Sequence, residues 1–273
     1  MTLSGRRVRN VAIAGSLAVV LILLNRDYTI SLRNASFLTG WILFGGVILL
    51  TLYSLRKALP FLPLIASSIW LQVHLYVGLW AALVFLLHVH LSWPKGVFDT
   101  VLWACFVLVT LSGLVGVGLS RGLPPRLGRR GERMIFEQIA GYRTQLARRA
   151  ESLVMGSTTE SVSTTLVEFY LRQVEPFLCR PRNVLHHLVE SNRPLHRLQL
   201  ELEHVKTYLD RKGQRRLDEL AEIIAAKDAL DYQFSLQLAL KAWLFVHVPF
   251  TYALLTLIAA HLVLVYGFSL AAP

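Results

Sequence analysis

Two stretches, WLQVHLYVGLWAALVFLLHVHLSW at 70–93 and KAWLFVHVPFTYALLTLIAAHLVLVYGF at 241–268, decide the fold. Each is apolar almost throughout and long enough to cross a hydrocarbon core about 30 Å thick as a helix. Each also carries histidines: His74 and His88 in the first, His247 and His261 in the second. Ionisable side chains are costly inside a bilayer and rare there without a function. The same interval, 14 residues, separates His74 from His88 and His247 from His261. On an α-helix that interval is just under four turns. Two such side chains fall within ~40° of one face and about 21 Å apart along the axis. His90 stands 16 residues after His74, which turns it ~160° away on a continuous helix. His88 is therefore taken over His90 as the partner of this set.

The rest of the chain agrees with a membrane setting. Of 273 residues, 54% are hydrophobic and only 16% charged, with a mean hydropathy of +0.50; soluble domains carry about 25% charged residues. The reading is an all-α membrane protein with five transmembrane helices, near 10–25, 36–55, 70–92, 98–119 and 238–268. The first follows Arg6, Arg7 and Arg9 and ends in LILLNRDY, without a small-residue cleavage site, so it is expected to be retained. The formal net charge of +11 sits mostly at the ends of apolar blocks and not on a basic face interleaved with aromatics, which argues against a nucleic-acid partner. Arg6, Arg7 and Arg9, then Arg56 and Lys57, then Arg121, Arg126, Arg129, Arg130 and Arg133 mark one side as cytoplasmic. The N-terminus and residues 122–237 are expected there, and the C-terminus outside. The two cysteines, Cys105 and Cys179, form no framework.

Three parts follow: 1–121 with four spans, a cytoplasmic helical insertion at 122–237, and 238–273 with the last span. The insertion opens with GLPPRLGRRG, whose Pro and Gly are expected to break any helix. Apolar stripes at Ile135, Phe136, Ile139, Tyr142 and Leu146, at Leu198, Leu202, Val205 and Leu209, and at Leu217, Leu220, Ile223 and Ile224 predict a small bundle or hairpin. The last of these helices is expected to run into the fifth span. The polar run GSTTESVSTT divides it. His186, His187, His196 and His204 lack metal-ligand spacing and read as surface or packing residues.

In this topology spans three and five run parallel, so equal depth pairs His74 with His247 and His88 with His261. Each pair can offer two imidazoles to opposite faces of one planar macrocycle, and a bis-histidine haem suits electron transfer. A proton relay is the competing use of such histidines. A zinc-type site needs ligands converging within a few ångströms, which 14 residues along one helix forbids. No C-x-x-C-H occurs, so two non-covalent b-type haems are the expected cofactors. Gly78, four residues after His74, could let a flat ring approach; Gly113, Gly116 and Gly118 offer the same on span four, although small residues also serve helix packing. Arg56, Arg121 and Lys241 stand where haem propionates could pair with them, or where positive-inside anchors belong. A quinone site near His90 and Trp93 would use His90 as proton acceptor; an interfacial Trp is also a common anchor.

The segments HLYVGLWAALVFLLH and HVPFTYALLTLIAAH resemble the di-haem membrane cytochrome b superfamily, which includes respiratory cytochrome b and ferric-reductase-like subunits. The resemblance covers spans three to five, and span two less securely. It implies a four-helix bundle holding two haems through His74, His88, His247 and His261. It also implies a respiratory-chain type electron-transfer subunit of an oxidoreductase complex in a bacterial inner membrane. The cytoplasmic insertion departs from the common core, and no flavin or nicotinamide domain is attached. Separate redox subunits on the cytoplasmic or outer face, membrane lipid and a quinone are the expected partners. A stand-alone quinol or metal-ion reductase, and a non-redox scaffold or transporter, are the alternatives.

Overall fold

The computed structural model describes residues 3–30, 35–58, 67–130, 132–155 and 164–269, and among these it is helical with turns and no strand. The helices are α1 (Leu3–Ile30), α2 (Ala35–Ala58), α3 (Ser67–His88), α4 (Val97–Leu127), α5 (Phe136–Met155), α6 (Thr164–Phe169), a π-helical turn at Tyr170–Val174, α7 (Glu175–Cys179), α8 (Val184–Leu188), α9 (Arg193–Lys206) and α10 (Arg211–Ser269). They divide into two compact units, one of 1–117 with 244–273 and the other of 118–243.

Among the described residues, four helices are long and apolar enough to cross a membrane, within Ala35–Tyr53, Ile69–His88, Val97–Leu127 and Arg211–Gly267. The first expected span, 10–25, falls in α1, where the side chains at 10, 11, 13, 14, 17 and 18 lie outside the described residues. In the first unit, apolar side chains turn outward: Phe245 is 83% exposed, Val263 72% and Leu111 57%. An apolar surface of that extent is suited to lipid. The inner contacts fix the directions of the helices. His88 of α3 faces His261 of α10, while Ser112 of α4 meets His247 and Phe98 meets His261. Ser36 of α2 meets His88 and Tyr53 meets His74. Hence α3 and α10 run the same way, and α2 and α4 run against them.

One sequence expectation is corrected at a helix end. α3 stops at His88 and does not continue to 92. His90 and Leu91 take left-handed conformations at φ 51° and 52°. The His90 amide donates to the Leu87 carbonyl and the Leu91 amide to the Leu86 carbonyl, both at 3.3 Å, which is the Schellman termination. His90 is therefore off the helix, not on its back face. The expected break within GLPPRLGRRG is observed: Pro124 and Pro125 occupy the last turn of α4, which ends at Leu127. Their missing N–H groups would have bonded to Ser120 and Arg121, so the ladder thins there and fails within a turn. The anticipated run into the last span is observed: α10 continues for 59 residues with Pro249 inside it.

The second unit packs α5 to α10 around Val154, Leu166, Phe169, Val174, Leu178, Leu202, Leu217, Leu220 and Ile224, among others. Within the α5 stripe Ile139 is fully buried, whereas Tyr142 is 41% exposed and Ile135, which precedes the helix start at Phe136, is 60% exposed. Beside this core lies a buried ionic group. Lys227 Nζ donates to Asp231 Oδ2 at 2.6 Å and to the Arg180 carbonyl at 2.9 Å, and the ammonium sits 3.8 Å from the Phe177 ring centre. Asp231 also accepts from the Arg182 amide at 2.9 Å. Burial pushes the lysine down and the carboxyl up, and their mutual attraction opposes both shifts. Nearby, Arg130 Nη1 bonds Asp228 at 3.0 Å, whose other oxygen is 3.7 Å from His187 Nε2. Burial, then the Arg130 and Lys227 charges, push His187 down to about 4.

Removing one member of a buried pair strands the other charge, at a cost of about 3–5 kcal/mol. Lys227→Ala is expected to lower unfolding stability by about that amount. The double variant Lys227→Met, Asp231→Leu should lose less than the single one, as read by denaturant titration of the detergent-solubilised chain. For His187 the folded state resists protonation until about pH 4, whereas the unfolded chain binds the proton near 6.5. Its contribution is thus complete above pH 6.5 and is lost as pH falls toward 4. The difference in stability between wild type and His187→Gln should shrink across that window. A difference constant from pH 7 to pH 4 would sink this assignment.

Candidate functional site: two histidine levels in the apolar unit

His88 closes α3 against the first turn of α2. Its Nδ1 lies 3.0 Å from the Ser36 carbonyl and 3.3 Å from Thr39 Oγ1. A carbonyl only accepts, so Nδ1 must carry the proton and Nε2 keeps its lone pair. Thr39, fully buried, directs its own hydroxyl at the Ala35 carbonyl, 3.0 Å away. Gly40 makes room for the ring: a Cβ there would stand 3.0 Å from His88 Cε1. His90, two residues on and exposed, is 2.8 Å from Ser36 Oγ through Nε2. One turn of α2 thus holds both histidines at the end of α3, and they are held differently.

Across from His88 stands His261, with ring centroids 6.5 Å apart and planes at 85°. Metal–imidazole bonds are about 2.0–2.1 Å long, so two imidazoles on opposite sides of one metal have centroids roughly 6–7 Å apart. The far side of His261 is covered by Phe98, parallel within 10° at 6.4 Å. Tyr266 receives a hydrogen bond from Trp41 at 3.2 Å and packs edge-on to Phe37 at 6.0 Å, which ties the end of α10 to the start of α2.

The second level is about 21 Å along the helices. His247 Nδ1 is 2.7 Å from Ser112 Oγ. The Ser112 hydroxyl donates to the Val109 carbonyl at 2.8 Å, so toward the imidazole it accepts. Nδ1 is again the protonated nitrogen, and Nε2 is the one left with a lone pair. A Cβ on Gly113 would come within 3.7 Å of His247 Cε1. His74 packs on Tyr53, with ring centroids 5.1 Å apart. His88 and His261 are brought together as a facing pair; for His74 and His247 the structure gives separate neighbours, Tyr53 and Ser112.

Between the levels the interior is apolar. Val47, Phe85, Cys105, Phe106 and Leu254 form one buried cluster. Phe85 and Phe106 stack at 4.0 Å, and the Cys105 thiol donates to the Phe250 carbonyl at 3.5 Å. Ala81 and Leu254, each seven residues from both histidines on its helix, are 2% and 3% exposed.

The other sequence candidates are scattered. A Cβ on Gly78 would lie 4.0 Å from Leu50 Cδ2, an ordinary contact. Arg56 is in α2, but its side chain lies outside the described residues. Arg121 is exposed, and Lys241 bonds Glu137 at 2.5 Å above the Phe136 ring; both belong to the other unit. Among the described residues, no three His, Cys, Asp or Glu side chains converge as a metal cluster, so the histidines present themselves singly or in pairs. Sequence reasoning missed Ser36, Thr39, Gly40 and Ser112. The legible signal was their polarity or smallness inside apolar helices, each placed within reach of a histidine only by the fold.

Compared with models of known protein families, with curated proteins and with solved structures, the chain gives no match.

Proposed function

We propose that this chain is a di-haem b-type cytochrome subunit that carries electrons across the membrane between a quinone or other redox partner on one face and partner redox subunits on the opposite side. The observation that carries the reading is the His88–His261 pair. Its rings face each other at 6.5 Å, and His88 Nδ1 is engaged by a main-chain carbonyl, which leaves Nε2 as the ligating atom. A histidine that binds a metal commonly donates its other N–H in this way.

The residues fit the group. His88 and His261 would hold one haem, and His74 and His247 the other, each pair ligating through imidazole nitrogens. A bis-histidine iron has no open coordination position, so when bound the haems would supply reversible one-electron chemistry and not oxygen activation. The chain's own contribution is orientation and burial. The Ser36 carbonyl and Ser112 hydroxyl hold the protons on Nδ1 of His88 and His247. Gly40 accommodates the His88 ring, and the Phe85–Phe106 layer keeps polar groups from the space between the levels.

Purified protein is expected to show reducible b-type absorption bands from two haems. His88→Ala and His261→Ala should each remove the same haem, His74→Ala and His247→Ala the other, and His90→Ala neither. Gly40→Leu, which drives a side chain into space already 3.0 Å from the His88 ring at Cβ, should remove the His88 haem and spare its companion. Absence of reducible bands in the wild type would overturn the reading.

A further inference from the structure

We infer that Ser112 is a positioning residue that sets the electron affinity of the centre held by His247, independently of the centre held by His88. This rests on the haem reading above and deepens it. At His88 the acceptor for Nδ1–H is the Ser36 main-chain carbonyl, which no side-chain substitution removes, with Thr39 Oγ1 also near, at 3.3 Å. At His247 it is a side-chain oxygen, Ser112 Oγ, at 2.7 Å. That hydroxyl's proton is committed to the Val109 carbonyl at 2.8 Å. The short chain Nδ1–H to Oγ–H to carbonyl therefore has a fixed direction. Polarising Nδ1–H makes the imidazole a stronger electron donor through Nε2, and this outer hydrogen bond tunes the metal it binds. A stronger donor favours the oxidised iron and lowers the potential. The α4 backbone passes beside the ring: a Cβ on Gly113, next in sequence, would stand 3.7 Å from His247 Cε1, an ordinary contact.

The test is a redox titration of the purified holoprotein and its Ser112→Ala variant. Alanine is the best helix former, so α4 is expected to keep its form. One of the two haems should rise in potential and the other should not move. A tenfold change in its reduced-to-oxidised ratio at fixed poise corresponds to about 59 mV for a one-electron couple. Ser112→Thr should restore the wild-type value, because Oγ1 can accept from His247 while bonding back to its own helix. Thr256→Ala, which removes an exposed α10 hydroxyl bonded to the Tyr252 carbonyl, should shift neither haem. Unchanged potentials in Ser112→Ala, or an equal shift of both haems, would overturn the inference. A second readout needs no haem. In the nitrogen NMR spectrum of the apoprotein, His247 should be the Nδ1–H tautomer in wild type and a mixture in Ser112→Ala. Lack of haem in the wild type would defeat the functional reading alone, and the tautomer result would still decide the role of Ser112. An unaltered tautomer in the variant would remove that role.

Discussion

A histidine inside an apolar helix bundle must place its N–H on an acceptor, and in this protein that requirement organises the site. An unsatisfied imidazole N–H in a dry interior costs on the order of 1–3 kcal/mol. The helix that carries the histidine has already used its carbonyls in its own ladder, so the acceptor must come from a neighbour. His88 finds the Ser36 carbonyl on α2; His247 finds the Ser112 hydroxyl on α4. In each case the support comes from a helix running against the histidine-bearing one. The bonds therefore fix axial register and rotation together, and they leave the opposite nitrogen of each ring pointed away from its support.

The end of α3 shows how tightly that register is specified. A Schellman cap usually places glycine at its left-handed position; here His90 occupies it, followed by Leu91, also at positive φ. Non-glycine residues in that conformation cost of order 1 kcal/mol or more and persist where surrounding contacts over-determine them. The bond of His90 Nε2 to Ser36 Oγ is such a contact. It joins the cap to the same residue whose carbonyl holds His88. The helix stop, the histidine orientation and the first turn of α2 are thus one assembly.

Much of this was legible in sequence, for definable reasons. Apolar length announced the crossing helices, and the equal intervals announced the histidine set, because helical period is a property of sequence alone. The approach of His88 to His261 followed from the same arithmetic together with the parallel run of α3 and α10. The stop at His88 was hidden because no glycine marks it, although Pro94 stands shortly beyond. Pro124 and Pro125 were legible as a stop: without their N–H groups the carbonyls of Ser120 and Arg121 lose their helical partners, and α4 ends within that turn. Ser36, Thr39, Gly40 and Ser112 could not be found by spacing, since each matters only through a residue on another helix. The same holds in the other unit, where Lys227 and Asp231 stand four apart on a polar helix segment and read as an ordinary surface pair. Their burial depends on the Phe177 ring and on the 180–182 backbone folding over them, which no local pattern foretells.

The layer between the two histidine levels bears on what can cross it. A proton or ion path needs a succession of polar groups with hydrogen bonds to exchange. At mid-depth the described buried side chains include Val47, Ala81, Val84, Phe85, Phe106 and Leu254, and the Cys105 thiol is directed to the Phe250 carbonyl of α10. Thr51, toward the His74 end of α2, bonds back to the Val47 carbonyl of its own helix at 2.9 Å. Such an interior offers few groups that could solvate a migrating charge. An electron passing between two fixed centres moves no atom through that layer. An apolar separator between the two histidine levels is the arrangement that the electron-transfer reading proposed above calls for.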